Sequence, residues 1–153
     1  MPGRFSIHCL NNFPDELRET IISLDRRCMS PFWSDNVWKE TFDSKDPNFL
    51  LVCDADVQAF SLLYYSQHES LLHLLKLAVE EKLRRTGLAK QLLAQIKSYM
   101  PKNKIERIYL EVEIDNYPAI SFYENQSFTQ LEITKNFYGA GRDAIKMMFV
   151  NNA

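Results

Sequence analysis

The chain has 153 residues, of which 46% are hydrophobic and 25% charged, the balance of one ordinary globular domain rather than of a disordered chain. Eighteen basic side chains against twenty acidic ones leave a net charge of -2, so the basic surplus of a duplex nucleic-acid binder is missing and any anionic ligand must be held locally. Glycine is scarce, with 4 residues where average usage of ~7% would give roughly eleven, which excludes collagen-like, linker-rich and glycine-repeat architectures.

In chain order, Met1-Pro2-Gly3-Arg4 lacks the apolar core of a signal peptide. Phe5 to Leu10 reads as a first strand. Pro14-Asp15 opens a helix whose Leu17, Ile21, Ile22 and Leu24 recur at helical spacing, and Ser30-Pro31 breaks it. Ser34 is suited to cap a short second helix through Phe42. Strands follow over Asn48–Cys53 and Gln58–Tyr65 around the turn Asp54-Ala55-Asp56, then a longer one from Leu71 to Val79 after Gln67-His68-Glu69. That last strand is apolar on nearly every residue, as expected when both faces of a sheet are covered.

Gly87 to Met100 predicts an amphipathic helix with Leu88, Leu92, Leu93, Ile96 and Met100 on one stripe, ended by Pro101. Ile105 to Ile114 alternates, placing Tyr109, Glu111 and Glu113 opposite Ile108, Leu110 and Val112. Asn116 and Pro118 open another helix. Two closing strands, Thr129–Phe137 and Ala144–Asn151, bracket a turn with Gly139 and Gly141. The order βααβββαβαββ predicts one α/β (α+β) domain over 1–153, with helices on a mixed sheet.

Cys9, Cys28 and Cys53 show neither pairing nor metal-ligand spacing, so a reducing cytoplasm is expected and no metal. The longest uninterrupted apolar run, Phe49 to Cys53, is far short of the ~20 residues a membrane span needs.

Gly87 lies in Arg84-Arg85-Thr86-Gly87-Leu88-Ala89, between a strand and a helix. The first N–H groups of a helix have no internal partners and carry the positive end of its dipole. A pyrophosphate can take those bonds where no side chain blocks it, and Lys82, Arg84, Arg85 and Lys90 add positive charge. The same residues also read as an ordinary helix start with solvated bases. Neither the Walker ending nor the three-glycine dinucleotide pattern is present.

Arg84-x-x-Gly87-x-Ala89 resembles the Arg/Gln-x-x-Gly-x-Gly/Ala motif of the GNAT superfamily of acetyl-CoA-dependent N-acetyltransferases. Leu110-Glu111-Val112, Asn116, Ala119 and Phe122-Tyr123 resemble its second signature. Phe32-Trp33-Ser34 with Lys39-x-Thr41-Phe42, and Asn136-Phe137-Tyr138 with Asp143-Ala144-Ile145, are similar to segments of its RimI branch, the bacterial enzymes that acetylate the N-terminal alanine of a small-subunit ribosomal protein. The resemblance implies a mostly antiparallel sheet flanked by helices on both faces, with acetyl-CoA as cosubstrate and a protein N-terminus as acceptor. It places the pantetheine arm on the backbone of Leu77, Ala78 and Val79, and the pyrophosphate on Arg85, Thr86, Gly87, Leu88, Ala89 and Lys90. It further implies that Asn116 orients the cofactor arm or holds the neighbourhood of Tyr123, and that Glu111 is the base, directly or through water, and Tyr123 the acid, with direct transfer in a ternary complex. Phe32, Trp33, Trp38 and Tyr138 are candidates for the acceptor groove.

Each residue has a structural alternative. Glu111 on an alternating strand also reads as a solvated face residue, Glu113 shares its face, Asn116 serves as a helix cap, and Tyr123 and the groove aromatics could fill the core. His73, in an apolar strand, reads as a core histidine. The sequence departs from the family at Ser127-Phe128, where Gly-Phe is usual. If Ser127 is a left-handed helix cap, serine costs on the order of 1 kcal/mol there. A small-molecule amine as acceptor, and a non-catalytic acyl-CoA-binding module, remain the alternative functions.

Overall fold

The computed structural model describes residues 5–151; the Met1–Arg4 start lies outside them. Strand β1 (Phe5–Cys9) leads through two 3-10 turns into helices α1 (Arg18–Cys28) and α2 (Asp35–Asp43). Strands β2 (Phe49–Asp54), β3 (Ala59–Ser66) and β4 (Leu71–Val79) follow, then α3 (Leu88–Lys102), β5 (Arg107–Glu113), α4 (Tyr117–Asn125), β6 (Thr129–Thr134) and β7 (Ala144–Val150). This is the element order the patterning predicts.

Local chemistry sets several of these boundaries. The Val37 N–H donates to Ser34 Oγ at 3.2 Å, capping α2. Pro101 does not stop α3, which runs on to Lys102, because a proline in the last turn forfeits only one backbone hydrogen bond. The strand expected to reach Phe137 ends at Thr134. Asn136 there turns at φ 57 and takes its N–H to Asp143 Oδ1 at 2.9 Å.

The strands form one seven-stranded sheet in the order β1-β2-β3-β4-β5-β7-β6, antiparallel except between β4 and β5. One face is covered by α3 and α4, where Leu92, Leu93, Ile96, Ile120 and Tyr123 join Leu72, Leu74, Leu110 and Val112 in a buried cluster. The other carries α1 and α2, with Ile21, Leu24, Trp38 and Phe42 against Leu51, Phe60 and Leu62. Helices on both faces explain the near-continuous apolar run of β4.

Two irregularities of β4 shape the site. Its parallel pairing with β5 runs only from Leu71↔Arg107 to His73↔Tyr109, so the two strands part company beyond that point. Its register with β3 jumps from Leu63↔Leu74 to Leu62↔Lys76, leaving Leu75 as the extra residue of a bulge. Leu72 and Leu74 belong to the α3 face, yet Lys76 pairs with Asp25 of α1 on the opposite face. The bulge reverses the phase of the strand.

Candidate active site

A cleft of about 1070 Å³ opens where β4 and β5 diverge. At one end Arg84, Arg85, Gly87, Leu88, Ala89 and Lys90 line it. Gly87 caps α3 at φ 86, a left-handed conformation, and being a glycine it offers no side chain to the first N–H groups of the helix. An added Cβ at Gly87 would meet nothing within 4 Å, so the glycine serves conformation and access, not packing. Thr86 differs from expectation. It does not line the cleft, because its hydroxyl donates to the Leu83 carbonyl at 2.5 Å inside the turn.

The β4 edge supplies the next wall. The Glu80 N–H donates to the Gln58 carbonyl at 2.8 Å, and Ala59 faces Val79 in the β3 register. Antiparallel ladders alternate between bonded and non-bonded pairs, so the backbone of Ala78 turns to β3 while the polar groups of Leu77 and Val79 turn to the gap. An amide-bearing arm can pair with these two residues as a further strand would. Ala78 lines the cleft without a free backbone edge.

Glu111 lies on β5 with its side chain 6% exposed. One carboxylate oxygen bonds His73 Nε2 at 2.7 Å, and the other accepts the Tyr109 hydroxyl. Burial alone pushes the acid up, but the hydrogen bonds from His73 and Tyr109 outweigh it and hold Glu111 below its ordinary 4.5. Glu111 is therefore not a solvated face residue. Glu113, its neighbour on the same face, is held by Arg142 through two bonds of 2.8 Å, which removes it from competition.

Tyr123 reaches the cleft from α4 on the other side of the sheet, 8% exposed, its ring edge-on to Phe122 and Phe128. Its hydroxyl has no hydrogen-bond partner among the described residues. Burial, with a smaller effect of Tyr138, raises its pKa well above the ordinary tyrosine value, so the ring is neutral throughout the physiological range. Asn116 also lines the cleft. Its Oδ1 accepts the Ala119 N–H at 3.2 Å, the bond of a helix cap.

The acceptor aromatics separate. Trp33 and Tyr138 line the cleft, and the Tyr138 hydroxyl donates to the Glu111 backbone carbonyl at 2.9 Å. Burial and the charges of Glu111 and Glu113 push Tyr138 up to about 12. Phe32 is 50% exposed and outside the cleft, since its neighbours Pro31 and Trp33 are the ones turned inward. Trp38 is wholly buried, stacked with Phe42 and bonded through Nε1 to Asp25; it is core.

Sequence reasoning missed His73 as a site residue. The parallel register sets it beside Tyr109, with ring centroids 4.3 Å apart, and within reach of Glu111. A lone histidine in an apolar strand was the available signal. Lys76, on the wall of the cleft, and Asp25, buried behind it, left no signal at all.

Among curated proteins, the chain is 43% identical over 76 residues to the N-alpha-acetyltransferase of Saccharolobus solfataricus, a match covering 49% of this chain and 46% of that protein. The match thus spans less than half of that relative's length. To the ribosomal protein bS18-alanine N-acetyltransferase of Escherichia coli K12 it is 26% identical over 115 residues, 75% of this chain and 76% of that one. The crystal structure of Ard1 from Thermoplasma volcanium shares the fold, with a TM-score of 0.80 at 21% identity over 97% of this chain and 99% of the other. The family model for GNAT acetyltransferases matches residues 18–128. The chain belongs to the acetyltransferase (GNAT) family.

Proposed function

We propose that this single domain, residues 1–153, transfers the acetyl group of acetyl-CoA to the α-amino group of a protein N-terminus, directly and in a ternary complex. The observation that carries the reading is the gap between β4 and β5, with a buried carboxylate on one face of the sheet and an unpartnered tyrosine hydroxyl on the other. The finer acceptor, the N-terminal alanine of a small-subunit ribosomal protein, rests on the similarity to the bS18-alanine enzyme. Unpaired Cys9, Cys28 and Cys53 fit a reducing compartment such as the cytoplasm. No helix of the described residues is long and apolar enough to cross a membrane.

Each part of the chain has a task in this scheme. The N–H groups at the start of α3 and the bases Arg85 and Lys90 hold the pyrophosphate, with Gly87 leaving room. Leu77 and Val79 pair with the amides of the pantetheine arm, and the Val79 N–H polarises the thioester carbonyl. The incoming amine, with a free pKa of ~8, must shed a proton before it attacks. Glu111 receives that proton directly or through water, while His73 and Tyr109 fix the orientation of its carboxylate. As the carbon–sulfur bond breaks, Tyr123 gives its proton to the departing sulfur. Asn116 holds the arm beside Tyr123.

Incubation with acetyl-CoA and peptides beginning with Ala, Ser, Met or Gly, alongside a polyamine and an aminoglycoside, tests the scheme by mass shift. Acetylated peptides are expected. Modified small amines with unmodified peptides would move the acceptor to a small molecule. Cosubstrate binding without any transfer would leave only an acyl-CoA-binding module.

A further inference from the structure

The proposed chemistry does not use the two most deeply buried opposite charges in the site region. Lys76 is 3% exposed and Asp25 fully buried, with Nζ 2.9 Å from Oδ1. They lie against Trp38, on the sheet face where Ile21, Leu24, Phe42 and Phe60 are buried with it. Removing two charges from water to such a place is costly, and well-packed apolar residues often serve stability equally well. Burial lowers the Lys76 pKa, and the bond to Asp25 offsets part of that loss. The reason for the pair lies in what it holds.

Asp25 uses both oxygens. Oδ1 takes Lys76, while Oδ2 accepts the Trp38 indole N–H at 2.8 Å and the Trp33 backbone N–H at 3.0 Å. Lys76 Nζ lies 4.7 Å from the centroid of the Trp33 ring, within cation–π range. One ion pair thus fixes both the main chain and the ring of Trp33. The β4 bulge at Leu75 is what turns Lys76 to this face. Trp33 in turn lines the cleft with Met29 and Pro31 of the α1–α2 connection, together with Phe137 and Tyr138 of the β6–β7 connection. Glu111 and His73 point to this same face, since Leu110 and Val112 occupy the other. It is therefore the face from which an amine reaches the base.

We propose that Lys76 and Asp25 are positioning residues for the acceptor: their ion pair sets Trp33 as the wall against which the first residues of the acceptor peptide lie. The inference rests on the N-terminal acetylation reading above. It assigns the pair an effect on acceptor binding and none on the chemical step or on the cosubstrate.

The test uses the full chain and whichever peptide the wild type acetylates; a wild type that modifies no peptide defeats the acetylation reading before any variant is compared. The double variant Asp25→Leu/Lys76→Met removes the clamp without leaving an orphan charge. At Trp33 the variant loses one hydrogen bond and the cation–π contact, which raises the acceptor KM about five- to tenfold, while kcat and the acetyl-CoA KM stay within about twofold. Trp33→Ala raises the acceptor KM likewise, and adding it to the double variant produces no further rise, because both act through one side chain. If the double variant does not fold, the same cycle is run with Asp25→Asn/Lys76→Met, which leaves no unpaired charge and in which the amide oxygen still accepts both tryptophan N–H donors. An unchanged acceptor KM, effects that multiply with those of Trp33→Ala, or an equal loss in the cosubstrate KM each overturn the proposal.

Discussion

Replacing Ser127 by glycine should stabilise the protein, by an amount the helix end itself sets. Helix α4 closes with the Ser127 N–H on the Glu124 carbonyl at 3.1 Å and the Phe128 N–H on the Tyr123 carbonyl at 3.0 Å. These are the paired bonds of a Schellman motif, completed by the ring contact of Phe128 with Tyr123 at 5.3 Å. The motif requires a left-handed residue after the cap, and Ser127 occupies it at φ 72. An L-residue with a Cβ loses roughly 1–2 kcal/mol in that conformation. Glycine avoids the clash but gives up about 0.5–1 kcal/mol through its freer unfolded chain. The net gain is about 0.5–1 kcal/mol, or about 1–4 °C in thermal midpoint for a domain of this size. Ser127→Val, with a branched Cβ, should fall on the other side of the wild type. Urea titration at unchanged m-value, with thermal melts alongside, reads both variants. A glycine variant no more stable than the wild type would refute the reasoning, since it would mean that the helix end does not carry the left-handed cost.

Other consequences follow from the site. Tyr123→Phe deletes a hydroxyl that bonds nothing among the described residues, so stability should hold while kcat falls about 100-fold or more; full turnover in this variant removes Tyr123 from the acid role. Glu111→Gln should slow transfer by a similar factor, and stability against pH gives a second readout. Because Glu111 is held below 4.5 in the folded state, its carboxylate contributes stability above the unfolded-state value and loses it as the pH falls through the folded one. The stability gap between wild type and variant should therefore narrow below about pH 4.5; a gap constant from pH 7 to pH 3 contradicts the assignment. Gly87→Val places a branched side chain at φ 86 in open space, costing about 1–2 kcal/mol in strain and, by calorimetry, most of the affinity for CoA. Gly139→Val, also at positive φ and open to solvent, is the control that should lose stability but keep that affinity.

What was readable in the sequence was whatever is local. The stripe of α3, the alternation of β5 and the Ser34 cap each follow from a few adjacent residues, and each stands in the fold as its pattern implies; the left-handed residue at Ser127 was visible only through the family's usual Gly-Phe at that place. Gly87 was conspicuous by count and is a left-handed cap at the cleft. What escaped depends on residues far apart in the chain. His73 meets Glu111 only because β4 and β5 share a short parallel register. Glu113 is taken by Arg142, 29 residues on. The burial of a lysine in an apolar strand depends on a one-residue bulge that no periodicity displays. Aromatic type, likewise, could not sort Trp33 in the cleft from Trp38 in the core and Phe32 in solvent.

The interrupted ladder between β4 and β5 also has a mechanical side. Among the described residues the sheet is two half-sheets, β1 to β4 and β5 to β7, whose backbones meet over one short seam, from the Ser70 carbonyl that accepts the Glu106 N–H at 2.8 Å to the pair His73↔Tyr109. His73, on the last stitch, sits at the hinge. A ligand whose amides complete the edge at Leu77 and Val79 would extend the seam and stiffen both halves against each other. The amide protons of those two residues, quick to exchange while the edge is open, would then be shielded. The two sides of the cleft, Trp33 carried by one half and Tyr138 by the other, would be held firmest with that seam closed.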